Sequence, residues 1–339
     1  MHPVRFLATV LFVAFTFSPT AVAQDSSDGA EEDLPLLQRV DSLGFDALQR
    51  GVVTAHFPAE HRDRAERLGT RAEQALQLFA DSLGAELDEF HLILLDEKRW
   101  DHFMDVPYGL PGAGHDPPSA ILPADAEGVV YKQLLGLKQC LSPTHRKQLV
   151  QTGLSWEEAA RHYVEAITFH EVGHVIPDTD AYEIRMPLWL DEFLANYLGY
   201  EYLYNSEPEY ARVWDLTTKV TLDCYKPSHE RTLEKSMHLG QGPDDYHWLQ
   251  SFLIERANRV VETHGFAFGR KAKEAFRAQS SPEDPLFKKA RSLEADRETI
   301  SDEVALDRIK EINGEILRRL EQIAPGFQAW ANRFRRDPD

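Results

Sequence analysis

The sequence predicts an α+β fold, with a small mixed sheet in its first half and an almost wholly helical second half. Three patterns carry that expectation. Two short apolar runs, "GVVTAHF" (Gly51 to Phe57) and "FHLILL" (Phe90 to Leu95), bracket a segment with helical spacing. A capped helical segment then spans Ser155 to Ile176. From Pro187 onward nearly every segment repeats at the period of a helix.

The chain opens on a segment that reads as a targeting signal. Arg5 gives a positive start, Phe6 to Phe17 is apolar, and Ala21-Val22-Ala23 places small residues before Gln24. That pattern predicts a secretory signal peptide over 1–23, cleaved after Ala23, and a secreted or periplasmic protein. The run is shorter than the roughly 20 residues that span a bilayer. No later run is long enough either, and no cysteine precedes Cys140, so no membrane anchor is expected. An acidic leader is assigned to 24–49, beginning with "QDSSDGAEED", which has nothing to bury.

The remaining chain is assigned in three parts. Residues 50–176 form an α/β lobe. In it Gly51 to Phe57 reads as a strand by its β-branched alternation. Leu68, Ala72, Ala75, Phe79 and Leu83 line one face of a helix from Glu60 to Leu83, which Gly84 ends in a left-handed turn. Phe90 to Leu95 is a buried strand. Asp105 to Pro123 is a Gly/Pro-rich loop running into a short strand near Ser119 to Leu122. Ser155 and Glu158 form a capping box, and Pro177 ends the helix that they start.

Residues 177–265 form a helical lobe, with helices over Pro187 to Leu203 and Tyr246 to Val261. Residues 266–339 form a C-terminal helical extension, with a helix over Phe266 to Ala278 and a long charged run to Gln322. In that run Ile300, Val304, Ile309, Ile312, Ile316 and Ile323 mark one face, expected to pack on the chain's own domain.

Composition narrows the partners. Asp+Glu 56 against Lys+Arg 37 gives a formal net charge of −19. Such a surface repels phosphate backbones, so nucleic acid is not an expected partner. Cys140 and Cys224, the two cysteines, are expected either as one disulfide or as two buried thiols.

The chemistry concentrates in "TFHEVGHVIP", residues 168–177. His170 and His174 are four apart and share one helix face. Two imidazoles so placed can converge on one tetrahedral metal ion at about 2.0–2.1 Å. Glu171 projects beside them, placed to take a proton from a water without being a ligand. Ile167, Val172 and Val175 supply the apolar packing.

A third ligand has two candidates. Asp180 lies six residues after His174, where metzincins place theirs, but Pro177 stands where that turn requires a glycine. Glu192 lies on the next helix, with room for a loop and a return, and is preferred. Asn196, one turn on, is placed to accept the outer N–H of a ligand histidine and fix its tautomer. His91, His102 and His115 have no ligand-type partners at useful spacing, His162, two helical turns before His170, reads as a partly exposed helix histidine, and Trp189 reads as core.

His170-Glu171-Val-Gly-His174 followed by "LWLDEFLANY" resembles the gluzincins, the clan of thermolysin and the aminopeptidase N relatives, with the third ligand a glutamate on the next helix. The resemblance covers Gly51 to about Gly265 and leaves the subfamily open. It implies a zincin-like catalytic domain in which His170, His174 and Glu192 bind Zn2+ and Glu171 is the general base. The aminopeptidase branch adds an oxyanion-stabilising tyrosine at the start of a later helix. "DDYHWLQSFLIERAN" puts Tyr246 there, with His247 beside it as a second candidate.

Three features depart from the family. Phe193 stands where a glycine is usual and is expected to thicken the site wall, and both the G-x-M-E-N element and a thermolysin-like C-terminal histidine motif are missing. The function expected is an exported zinc metallopeptidase acting on a peptide or protein. The Ser119 to Leu122 strand would pair edge-on with that substrate. The alternatives are a catalytically silent exported binding or structural protein, and a zinc hydrolase of a non-peptide amide.

Overall fold

Five strands form one mixed sheet in a computed structural model that describes residues 35–176, 188–225, 233, 243–277, 284–296 and 299–333. The expected signal peptide and the start of the leader lie outside the described residues, as do Pro177, Asp180 and Pro187. The strands β1 (Asp46–Arg50), β2 (Val53–Phe57), β3 (Phe90–Leu95), β4 (Gly112–His115) and β5 (Pro118–Pro123) lie in the order β1-β2-β3-β5-β4. β2, β3 and β5 run parallel, and β1 and β4 close the two edges antiparallel. β3 is buried at every position because it is central and covered on both faces.

Two departures from the sequence reading follow from this order. The stretch 35–49, assigned to the leader, is folded from α1 (Leu36–Ser42) into β1. Its apolar residues explain why: Val40 joins Ile93, Leu95, Trp100, Phe103 and Ile121 under the outer face of the sheet. The Ser119 to Leu122 strand is β5, and both of its sides are already paired, to β3 and β4. It therefore cannot take a substrate edge-on. The edge strand on that side is β4, from the stretch read as loop, where glycines at 112 and 114 hide the alternation of a strand.

The inner face packs on α2 (Arg62–Leu83), which ends at Gly84 with φ +60°, and on α6 (Trp156–Val175). Between them in the chain lie the short α3 (Glu97–Trp100), α4 (Val129–Gly136) and α5 (Pro143–Thr152). Next come α7 (Leu188–Ser206), α8 (Pro208–Cys224), α9 (Pro243–His264), α10 (Phe266–Arg277), α11 (Pro285–Asp296), α12 (Asp302–Ile323) and α13 (Phe327–Arg333). None of the described helices is long and apolar enough to cross a membrane.

One apolar core runs from the sheet through α6 and α7 to the C-terminal helices. The expected stripe on the charged run is only partly used. Ile300 precedes α12, Val304 is 44% exposed, and burial begins at Ile312 and continues through Ile316 and Leu320. The N-terminal half of α12 is instead tied to α11 by polar pairs, Arg308 with Asp296 and Lys289 with Glu311.

Cys140 and Cys224 form a disulfide that ties the turn after α4 to the end of α8 across 84 residues of sequence. Replacing both by serine should lower unfolding stability by about 2–4 kcal/mol. Urea unfolding of the pair variant measures this, and an unchanged midpoint would assign the cross-link no stabilising role.

Candidate metal centre

α6 is fixed before it presents anything. The Ser155 hydroxyl accepts from the Glu158 N–H and the Glu158 carboxylate accepts from the Ser155 N–H, the capping box expected from the sequence. One turn before the histidines, Glu165 accepts from Arg64, Arg67 and Arg71 of α2. Arg71 also reaches Glu207 at the start of α8, so α2, α6 and α8 share one ion network. Each of its charges is paired, which a half-buried cluster requires.

α7 then crosses α6 antiparallel at very short range. A Cβ on Gly173 would lie 2.7 Å from the Ala195 carbonyl oxygen, and one on Gly199 would lie 2.9 Å from the backbone nitrogen of His170. Two helical glycines, each meeting the other helix's backbone, let the axes approach and bring the first turns of α7 over the histidines. The opposite face of α7 is held from behind. Phe193 packs edge-on against Phe268 of α10 and Phe327 of α13, and the Trp189 indole donates to Asn313 of α12 at 2.9 Å. Phe193 therefore does not thicken the site wall; it points into the C-terminal core. Trp189 is core, as its sequence context suggests.

This packing brings three ligand atoms together. His170 Nε2 lies 3.0 Å from His174 Nε2 and 3.2 Å from Glu192 Oε2, and His174 Nε2 lies 3.6 Å from the same oxygen. Among the described residues no other group of three His, Cys, Asp or Glu could hold a metal ion. A tetrahedral ion with bonds of about 2.0–2.1 Å separates adjacent ligand atoms by roughly 3.3–3.4 Å. The three observed separations bracket that edge length, so the residues fit a small divalent ion.

The outer nitrogens are tied. His170 Nδ1 lies 2.9 Å from Asn196 Oδ1, the partner expected from the sequence, and His174 Nδ1 lies 3.0 Å from Asp191 Oδ2. With a proton on each Nδ1, both Nε2 lone pairs face Glu192. Three such electron pairs only 3.0 to 3.6 Å apart repel unless a proton or a cation lies between them.

The electrostatics carry that mark. Burial pushes His174 down, but Asp191, and then Glu192, carry it well above the ordinary imidazole range. Burial pushes Glu192 up, yet its hydrogen bonds to His170 and His174 hold it far below the usual carboxylate range. Glu171 is buried and, among the described residues, accepts no hydrogen bond. Burial raises it above the ordinary carboxyl value, the two histidines oppose that rise, and Glu192 and Asp191 add to it. A carboxyl destabilised as an anion beside a cation site is suited to taking a proton.

The later helix closes the site from the side. On α9 the Gln250 Nε2 donates to Glu192 Oε2 at 2.7 Å and to the Tyr246 hydroxyl at 2.9 Å, and Asn196 Nδ2 donates to Gln250 Oε1 at 3.0 Å. Tyr246 is therefore joined to the cluster, with burial and then Glu192 and Glu171 raising its phenol well above the ordinary range. His247 is not joined to it: no hydrogen bond or ion pair links its ring to the ligands among the described residues. Burial lowers its imidazole to about 4, so it is neutral at neutral pH.

Of the residues singled out from the sequence, His170, His174, Glu192, Asn196 and Tyr246 come together with Glu171, and Asp180 lies outside the described residues. Asp191, Gln250, Gly173 and Gly199 were missed. Glycines inside helical patterns are the signal that could have found the last two, because they usually mark a close contact.

No family model matches the chain, and no curated protein or solved structure is significantly similar to it. The geometry therefore stands on its own. Gly199→Ala should cost about 1–3 kcal/mol through overpacking and weaken divalent-metal binding by displacing His170 from Glu192. Gly314→Ala, which meets open space on α12, is the control and should leave metal binding unchanged. Urea unfolding and competition with a chromophoric chelator measure both; equal metal affinity in the two variants would contradict the packing argument.

Proposed function

We propose that this chain is a zinc-dependent metallopeptidase of the gluzincin type, exported and acting on peptides or proteins. The observation that carries the reading is the set of three ligand atoms at 3.0, 3.2 and 3.6 Å, next in sequence to a buried Glu171 that accepts no hydrogen bond among the described residues. Bis-imidazole plus carboxylate is the donor set of catalytic zinc, with a fourth position left for water or substrate. When bound, zinc supplies Lewis-acid chemistry, acidifying a water molecule and polarising a carbonyl.

The chain's own residues supply the rest. Glu171 takes the water's proton as the oxygen attacks the scissile carbonyl carbon, and returns it to the departing amine nitrogen. Tyr246, aimed by Gln250, donates its hydroxyl proton in a hydrogen bond to the oxygen on which negative charge develops. Asn196 and Asp191 hold the two imidazoles with their Nε2 atoms inward. β4 supports a peptide as substrate. It packs beside α6 and stands at the edge of the sheet among the described residues, where an extended backbone could add as a further strand.

The test uses the purified chain, metal analysis and fluorescein-labelled casein with and without a chelator. One zinc per chain and chelator-sensitive hydrolysis are expected. Glu171→Gln should keep the metal and lower kcat by about 10²- to 10⁴-fold, whereas His170→Ala should lose both metal and activity. A fully active Glu171→Gln variant would sink the mechanism. A metal-loaded wild type that cleaves no casein would favour the silent binding protein or a hydrolase of another amide.

A further inference from the structure

Gln250 was singled out neither by motif nor by spacing, yet it touches three functional groups. Its position allows the protons of the cluster to be followed one bond at a time. A carboxylate that ligates a cation is ionised and can only accept. The Gln250 atom 2.7 Å from Glu192 Oε2 must then be the amide nitrogen. That places the Gln250 oxygen on the other side, where it needs a donor, so the Asn196 atom 3.0 Å away is the Nδ2 amide. Asn196 therefore turns its oxygen toward His170 Nδ1, which must carry the proton. His170 Nε2 is left as a bare lone pair facing the site. The direction of each bond follows from the charge on Glu192.

The same amide nitrogen has a second hydrogen, and the Tyr246 oxygen lies 2.9 Å from it. The phenol oxygen accepts there, so its own proton cannot point back at Gln250. We propose that Gln250 is a positioning residue: its carboxamide sets the tautomer of ligand His170 through Asn196, braces ligand Glu192, and fixes the Tyr246 hydroxyl by donating to its oxygen. One side chain thereby couples the metal ligands to the oxyanion donor. This rests on the metal-centre reading above, and its test has a binding readout that needs no hydrolysis.

The experiment loads the full chain with Co2+ in place of zinc and follows its visible absorption. It compares wild type, Gln250→Met, Gln250→Glu and Tyr246→Phe, each checked for folding by circular dichroism. Gln250→Glu keeps the volume and an acceptor for Asn196 but loses both amide donors, so it serves if the methionine variant does not fold. Both Gln250 variants should bind Co2+ about 10- to 100-fold more weakly and shift its absorption bands, and Tyr246→Phe should change neither.

With labelled casein, Tyr246→Phe should lower kcat by about 10²- to 10³-fold with KM little changed. In the Gln250→Met background the same change should cost clearly less, because the hydroxyl is already misdirected. Wild-type Co2+ affinity and absorption in both Gln250 variants would overturn the proposal, as would full additivity of the two substitutions. A wild type that binds Co2+ but cleaves no casein would remove the peptidase reading alone and leave the Co2+ comparison to decide on Gln250.

Discussion

The centre depends on how closely α6 and α7 approach. A histidine pair on one helix supplies two ligands at most, so the third must come from a neighbour whose backbone lies almost in contact. Gly173 and Gly199 make that contact, each facing the other helix's main chain where a Cβ would collide. Helices with larger side chains at the seam keep their axes about 8–10 Å apart, and a glutamate from the first turn of α7 would then stand off from the imidazoles. Glycine in a helix interior costs roughly 0.5–1 kcal/mol relative to alanine. That cost recurs at two positions, and the close contact of two backbones is what it makes room for.

Such a contact would be loose if α7 were held from one side only. The helix is buried all round: its front carries Glu192, Asn196 and Gly199, and its back carries Trp189, Phe193 and Tyr197. The back face binds the C-terminal helices, through the Trp189–Asn313 hydrogen bond, the Phe193 aromatic contacts and the Tyr197 hydroxyl on Gly265 and Gly269. Among the described residues no hydrogen bond or ion pair joins those helices to His170, His174 or Glu192. Their effect on the site is mechanical, fixing the helix that delivers Glu192, as α2 fixes α6 through Glu165. A group of polar side chains this buried is tolerable only when its hydrogen bonds are satisfied. The chain His170–Asn196–Gln250–Glu192 does this within the protein.

Much of this was legible in the sequence, and what escaped has physical causes. The helix at 156–175 announces itself by a capping box and that at 188–206 by a proline suited to a first helical turn, and the His-Glu-x-x-His spacing is local, so reading it needs no tertiary information. Glu192 was reachable because only 17 residues of sequence lie between it and His174. Gln250 was not, since nothing local distinguishes a glutamine on a helix that arrives 54 residues after Asn196. The edge strand was misplaced because β4 is glycine-rich and four residues long, whereas β5 has the apolar look of a strand. Val304 was misassigned to the core because periodicity reports which face is apolar and not how far along that face a partner extends. The leader hid its fold for the opposite reason: a few apolar residues, Val40 among them, sit in an acidic setting and still cover one side of the sheet.

The proposed chemistry requires one ion between His170, His174 and Glu192. X-ray absorption at the zinc edge of the purified, zinc-loaded protein tests this directly. The account predicts two imidazole shells and one or two oxygen scatterers at about 2.0–2.1 Å, with one imidazole signal lost in His174→Ala. A first shell without two imidazoles, or a spectrum that His174→Ala leaves unchanged, would contradict it.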